Sequence, residues 1–468
     1  MSWFSRKTPA DPSKLPPGDI GRSLVGGNTF SFHHDAHALI LENQVRHPGA
    51  RIFRAKVIGR DVALVIDHAL ATEVLGRDES KKGGRNDGES VGPRFSHRQA
   101  YQQLLATFFA EPNILLEDED ERERARHRRE WDDHMALLVQ ADRWDPIDQE
   151  IRNITGRHRS DWISRPEINL YESCKDISRD VVFHLFLGVS RQTHPELFDQ
   201  TLRTSDTSLR GQFSIPLRGS LGLFLETTYS KGLRAQKEFN EIVEERVKAD
   251  ACPFLHETRH TTGMDGEIPH ESLTAHLSMF SSSLVIKALA SYLTFSLCQL
   301  SRLPQPVLAN ASIDHVLLET ERLCPPIIGV LRRVLDAPWT PSGTNVEIPV
   351  GWETWAYFPL INRDVEVYGK DADCFRPDRW NDSSLPPPMT FGSGGKTCLG
   401  RDLIRSIVKS VLEESVRDGT RISLKDELED SMLDFLGWKH AEVKGWPAVK
   451  QLPVQRPRYP IWMKFEGM

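Results

Sequence analysis

Apolar and polar residues alternate through residues 51–67, interrupted once at Gly59-Arg60-Asp61. Period-two patterning around a glycine turn predicts two strands paired as a hairpin. Residues 78–95 lose the pattern. They are polar and carry Gly83, Gly84, Gly88 and Gly92, which predicts a mobile loop. Residues 98–110 and 121–141 read as helical, and residues 169–189 and 232–250 as amphipathic helices. From about 270 to 302 the chain predicts one long helix that ends near Pro304. Leu403, Ile404, Ile407, Val408, Val411 and Leu412 again recur at helical spacing. No internal repeat or low-complexity segment interrupts these elements.

Composition narrows the class without deciding it. The 468 residues are long enough for a large core, and length alone allows two or three domains. A net charge of −7 is ordinary and argues against a nucleic-acid partner. The dense charge run from Glu117 to Arg129 begins acidic and turns basic, the pattern of a solvated loop and helix face. Six cysteines, at 174, 252, 298, 324, 374 and 398, have no paired or metal-type spacing, and no secretory signal is visible. An intracellular, soluble, cytoplasmic protein is the expectation. Residues 1–20 are polar and proline-rich, and no run of about 20 apolar residues predicts a transmembrane anchor.

The chemistry concentrates in Phe391-Gly392-Ser393-Gly394-Gly395-Lys396-Thr397-Cys398-Leu399-Gly400. Glycines let the backbone turn tightly and approach a flat ligand where a Cβ would clash. The helical period that follows puts Cys398 at or just before a helix N-terminus, where backbone N–H groups stabilise a thiolate. Such a thiolate is a soft axial ligand. A lone cysteine before an amphipathic helix is ordinarily structural. Four glycines, a phenylalanine and a lysine at fixed offsets set this one apart.

This segment resembles the haem-binding loop of the cytochrome P450 family, Phe-x-x-Gly-x-x-x-Cys-x-Gly. Two upstream motifs agree in order. Glu319-Thr320-Glu321-Arg322 resembles the family's Glu-x-x-Arg helix, and Phe375-Arg376-Pro377-Asp378-Arg379-Trp380 its Phe-x-Pro-x-Arg-aromatic element. The resemblance is sharp over 310–415. It implies a mainly α fold with a small β-rich lobe, residues 21–468 forming a single catalytic domain. The implied cofactor is haem b, with its iron held by Cys398. Phe391 would shield the sulfur. Gly394 belongs to the loop, and Gly400 would let the helix pack close. Lys396, Arg124, Arg128 and Arg332 (or its neighbour Arg333) would meet haem propionates. Glu319, Arg322 and Arg379 would form a structural network behind the haem, and the 78–95 loop would border substrate entry.

The chain departs from the family on the long helix. Oxygen-activating members carry Ala/Gly-Gly-x-Asp/Glu-Thr there, an acid and an alcohol that relay protons. Counting back from Pro304 puts this segment on Leu284-Val285-Ile286-Lys287-Ala288-Leu289. Lys287 then takes the acid's place and Ala288 the alcohol's, and these two join Cys398 as candidate catalytic positions. Leu284, Val285, Ala288 and Leu289 would line the substrate pocket. A register four or five residues earlier brings in Ser281, Ser282 and Ser283, which restore a hydroxyl but no acid. Lys287 either snorkels to solvent or, if buried without a partner, tends to lose its proton. The implied protein is a haem-thiolate biosynthetic enzyme acting on a hydrophobic small molecule. Its reaction would be non-hydroxylating: isomerisation, lysis, dehydration or coupling. The alternatives are a monooxygenase that uses dioxygen and NAD(P)H-derived electrons through a redox partner, and a haem-binding protein without catalysis.

Overall fold

The structure is a computed structural model, which describes residues 11–18, 27–57, 59–76, 94–105, 107–117, 122–214, 226–259, 268–303, 312–425, 449–452 and 454–467. The 78–95 loop lies almost entirely outside the described residues, as do most of residues 1–20 and Pro304.

The hairpin forms as the alternation predicts. Strand β1 (Ile52–Val57) runs antiparallel to β2 (Arg60–Val65), with Ile52 opposite Val65 and Val57 opposite Arg60. With β3 (Arg94–Ser96), β5 (Gly329–Leu335) and β6 (Glu353–Tyr357) they make a five-stranded sheet in the order β1-β2-β6-β5-β3. Strand β4 (Ile168–Asn169) belongs to a smaller sheet with β7 (Arg421–Leu424) and β10 (Trp462–Glu466), while β8 (Val449–Lys450) pairs with β9 (Arg456–Pro457). The β-rich lobe buries its own apolar clusters, one of them around Phe95, Trp339, Ile348 and Phe358.

Helices make up the rest. The first are α1 (Thr29–Arg46), α2 (His68–Gly76), α3 (His97–Leu105), α4 (Arg122–Leu138), α5 (Ala141–Ser164) and α6 (Leu170–Leu187). They are followed by α7 (Pro195–Gln212), α8 (Thr228–Lys248), α9 (Pro253–Arg259), α10 (His270–Phe280), α11 (Ser283–Arg302), α12 (Ile313–Leu323) and α13 (Arg401–Ser415). The architecture is mainly α with a small β lobe, as expected. Helix α11 is buried almost continuously from Leu289 to Leu300 and packs on α6, α12 and α13, so it forms the axis of the main core.

Two expectations are corrected here. The stretch from 270 to 302 is not one helix: α10 ends at Ser281, and Ser282 is extended, at φ −68° and ψ 152°. Serine hydroxyls offer the backbone alternative partners. Ser281 Oγ donates back to the Leu277 carbonyl, and the freed Ser283 N–H donates to Ser205 Oγ on α7 at 2.7 Å. The second correction concerns apolar length. Helix α11 is long and apolar enough to cross a membrane, with a mean hydropathy of 1.4. Its most apolar window is 78% buried by the rest of the protein, which marks a core helix. Its serines and threonines interrupt the apolar run without lowering the average much.

Candidate active site

The Cys398 loop is built from two tight turns. Phe391 closes a 3-10 turn that begins at Met389, and Gly394–Lys396 form another. Gly392 and Gly394 sit at φ +76° and +72°, the left-handed region that a Cβ disfavours. The Cys398 N–H donates to the Phe391 carbonyl at 2.7 Å and closes the loop just before α13. Gly400 behaves otherwise than expected. It caps α13 at φ −87°, and a Cβ there would meet only Ile404 Cγ1, at 3.9 Å, so no close helix packing demands glycine.

Of the six cysteines, all free, only Cys398 is exposed. Burial is nevertheless the largest influence on its thiol and raises its pKa, against the Gly400 N–H and the charges of Arg128 and Arg401. The Gly400 N–H favours the thiolate, as expected at a helix start, and burial opposes it. A metal that binds the sulfur displaces the proton.

Around the loop stand the cationic residues. Arg128 Nη2 donates to the Thr397 carbonyl at 2.7 Å, and the same nitrogen lies 2.9 Å from Asp132. Lys396 Nζ donates to the carbonyls of Ile114 and Glu117, at 3.2 and 2.6 Å. Arg332, on β5, is buried and donates from Nη1 to His97 Nδ1 at 2.9 Å. Burial holds His97 well below the ordinary histidine pKa, and Arg332, Lys396 and Arg128 push the same way. His97 thus takes a hydrogen bond from one of the four predicted propionate residues, Arg332, and feels the charge of two others, Lys396 and Arg128. The fourth, Arg124, has a side chain outside the described residues. Sequence reading missed His97, whose only local signal is its place at the start of α3.

Behind the loop, Arg322 reaches both Glu319 oxygens, at 2.7 and 2.9 Å, and Arg379 Nε donates to Glu319 at 3.1 Å. Trp380 Nε1 and the Arg376 N–H complete the carboxylate's partners, at 3.1 and 3.0 Å. Glu319 and Arg322 are fully buried and Arg379 nearly so. A buried charge in this number of hydrogen bonds is compensated.

On α11 the predicted pocket residues divide. Leu284, Val285 and Ala288 are half-buried and stand outside the core clusters, whereas Leu289 is 2% exposed and belongs to the core. Leu289 as a pocket residue is corrected: it packs into the core, although it shares a face of α11 with Val285, four residues earlier, while Leu284 and Ala288 share the neighbouring stripe. Ser291 continues that stripe and donates to the Gln455 carbonyl, while Gln455 Nε2 donates to the Pro325 carbonyl at 3.0 Å. Lys287 as a catalytic group in place of an acid is also corrected. Its Nζ is 2.8 Å from Asp206 of α7, an ion pair that engages the charge instead of leaving it bare. Burial would raise the Asp206 pKa, but Lys287 holds it below the usual carboxylate value.

Residues 312–418 match the cytochrome P450 family model. The fold agrees over nearly the whole chain: a cyanobacterial protein, CYP120A1 with bound retinoic acid, aligns over 97% of this chain and 99% of its own with a TM-score of 0.67 at 17% identity. The chain has the cytochrome P450 fold, and its residues 312–418 match that family. The haem domain of cytochrome P450DA is likewise similar, at TM-score 0.70 and 14% identity over 97% of this chain and 98% of that one. Among curated relatives, cytochrome P450 monooxygenase cicH of Emericella nidulans is 33% identical over 117 residues, 21% of this chain and 22% of the relative. Cytochrome P450 714C2 of Oryza sativa is 35% identical over 106 residues, 21% and 20% of the two chains. The alignments thus span about a fifth of these relatives. A match to this family implies a haem whose iron is held by a cysteine thiolate.

The residues fit that group. Cys398 presents an exposed sulfur, a soft donor once a metal displaces its proton, and Arg128, Arg332 and Lys396 supply nitrogen donors of the kind that hold carboxylates.

Proposed function

We propose that the chain is a haem-thiolate biosynthetic enzyme that transforms a hydrophobic small molecule without hydroxylating it. The group is haem b, and when bound it supplies an iron centre able to cleave or coordinate a heteroatom bond of the substrate. Cys398 holds the iron, and Phe391, Gly394 and Gly400 belong to the loop around it. Arg332, which donates to His97, orients the propionates with Lys396 and Arg128, and Arg124 stands in the same helix as Arg128. Leu284, Val285 and Ala288 form an apolar wall that positions the substrate and excludes water. Glu319, Arg322 and Arg379 hold the frame.

The observation that carries the reading is the composition of α11 and of α10 after its first turn, which holds Glu271. From Ser272 to Arg302 the chain contains no Asp or Glu. The acid nearest in role, Asp206, is paired with Lys287. Positioned proton donors contribute about 10²–10⁴-fold to steps that need them, so the redox-neutral members of this set, isomerisation, lysis and dehydration, suit these residues better than activation of dioxygen.

A monooxygenase with an unusual proton path is the second reading. It is favoured by the names of the curated relatives and by the hydroxyls of Ser281, Ser282 and Ser283 at the helix break. The family match begins at residue 312, after α11, and does not bear on this choice. This second reading requires a redox partner, and so does coupling, which removes two hydrogen atoms from the substrate and needs dioxygen and electrons; isomerisation, lysis and dehydration do not.

Product mass separates the two. Haem-loaded protein is incubated with extract of the source organism, without reductant or oxygen. A product of unchanged mass, or lighter by one water, is expected. A product that forms only with oxygen and electrons, and that gains one oxygen atom, sinks the first reading. In either case Cys398→Ala abolishes the thiolate-type spectrum of the carbon monoxide complex; a normal spectrum in that variant overturns the assignment of the ligand.

A further inference from the structure

The motif helix α12 carries two glutamates, and the frame behind the loop uses only Glu319. Glu321 is also fully buried. Arg405 of α13 grips its carboxylate with both arms, Nε at 2.8 Å from Oε1 and Nη2 at 2.6 Å from Oε2. Tyr292 of α11 donates its hydroxyl to Oε1 at 2.5 Å. The backbone of Glu321 is engaged too: Thr390 Oγ1 donates to its carbonyl at 2.5 Å, and Asn362 Nδ2 donates to Thr390 at 3.0 Å.

Thr390 and Phe391 are the stem of the cysteine loop. The Arg405 guanidinium lies 5.5 Å from the centroid of the Phe391 ring, within cation–π reach. The Phe391 carbonyl receives the Cys398 N–H. A continuous chain therefore runs from α11, through Tyr292, Glu321 and Arg405, to the Phe391 ring, and the carbonyl of the same residue holds the Cys398 N–H. Its hydrogen bonds are charge-assisted and its geometry is bidentate, the combination with the least positional freedom. Residues just outside a ligand set its orientation and electron donation through hydrogen bonding and local dielectric.

We infer that Tyr292, Glu321 and Arg405 form a positioning triad for the Cys398 loop, which ties the helix carrying the substrate wall to the axial ligand. The inference rests on the haem-thiolate reading. The three residues touch neither substrate nor iron. They act by fixing Phe391 beside the sulfur, which controls access of water to it.

Arg405→Lys keeps the charge and loses the fork and the planar group; Tyr292→Phe removes one donor and leaves the ring. Both are compared with the unaltered chain in a Cys374→Ser background, because Cys374 is the other cysteine that is not buried. Three quantities are read: the carbon monoxide spectrum, the reduction potential of the haem-loaded protein, and the rate at which iodoacetamide alkylates Cys398 in haem-free protein. Arg405→Lys is expected to convert part of the spectrum to the protonated-thiol type and to shift the potential. It should also speed alkylation by about threefold to tenfold, the change that losing a hydrogen bond of ordinary net worth brings. Tyr292→Phe should move the same readouts less. Unchanged spectra, potentials and alkylation rates in both variants, whatever their unfolding midpoints, overturn the inference. Thr390→Val cuts the stem bond alone, and its alkylation rate decides the question if Arg405→Lys does not fold. An unaltered protein that lacks a thiolate-type spectrum overturns the haem-thiolate reading instead. The alkylation arm then still reports on the loop by itself.

Discussion

At the scale of single residues, partners decide roles. Lys287 stands on α11 where the resemblance implies an acid, and its charge is engaged by Asp206. Each side chain is 24% exposed, between the surface and core limits for ion pairs. Lys287→Met should cost about 1–2 kcal/mol at neutral pH. The sign with pH follows from Asp206, whose folded pKa lies below its unfolded value. Its contribution is complete above the unfolded pKa and disappears as pH falls through the folded one. Urea unfolding of the two proteins should therefore differ at neutral pH and converge in acid. A gap that persists in acid would show that Lys287 acts through packing. His97 makes the same point from the other side: a ring with no signature in sequence joins the site because Arg332, 235 residues away, donates to it.

At the scale of elements, close approach and helix continuity matter most. Helices α7 and α8 pack so tightly that a Cβ on Gly232 would lie 2.5 Å from Gly211 Cα. Backbone cannot yield as a flexible side chain does, so Gly232→Ala should destabilise by about 1–3 kcal/mol, read as a lower unfolding midpoint. An unchanged midpoint would mean that the two helices can separate freely. The break between α10 and α11 is the second such feature. Periodicity predicts one helix there because the apolar residues on both sides keep the same spacing. The serines at 281–283 divert hydrogen bonds to Leu277 and to Ser205, and the second partner belongs to another helix.

At the scale of the whole molecule, buried charge organises the core behind the ligand. Glu319 takes hydrogen bonds from Arg322, Arg376, Arg379 and Trp380, drawn from two separate stretches of chain. Glu319→Gln leaves two buried guanidinium groups without their carboxylate, and a loss of about 3–5 kcal/mol is expected. Chemical denaturation of haem-free protein checks it without interference from cofactor binding, and a loss under about 1 kcal/mol would show that solvent or another acid compensates. The sequence by itself determined the hairpin at 51–67, the turn-rich loop around Cys398, and the facing of Glu319 and Arg322. Each of these follows from local rules: alternation in strands, left-handed glycines in turns, and a three-residue offset on one helix face. Tertiary structure alone decided that α10 and α11 are separate, that Leu289 belongs to the core, that Lys287 is paired, and that Glu321 holds Arg405. Lys287 meets its partner 81 residues away and Glu321 meets its own 84 away. Spacing along a chain constrains only neighbours within a few turns, so contacts of that separation exist only once the helices have packed.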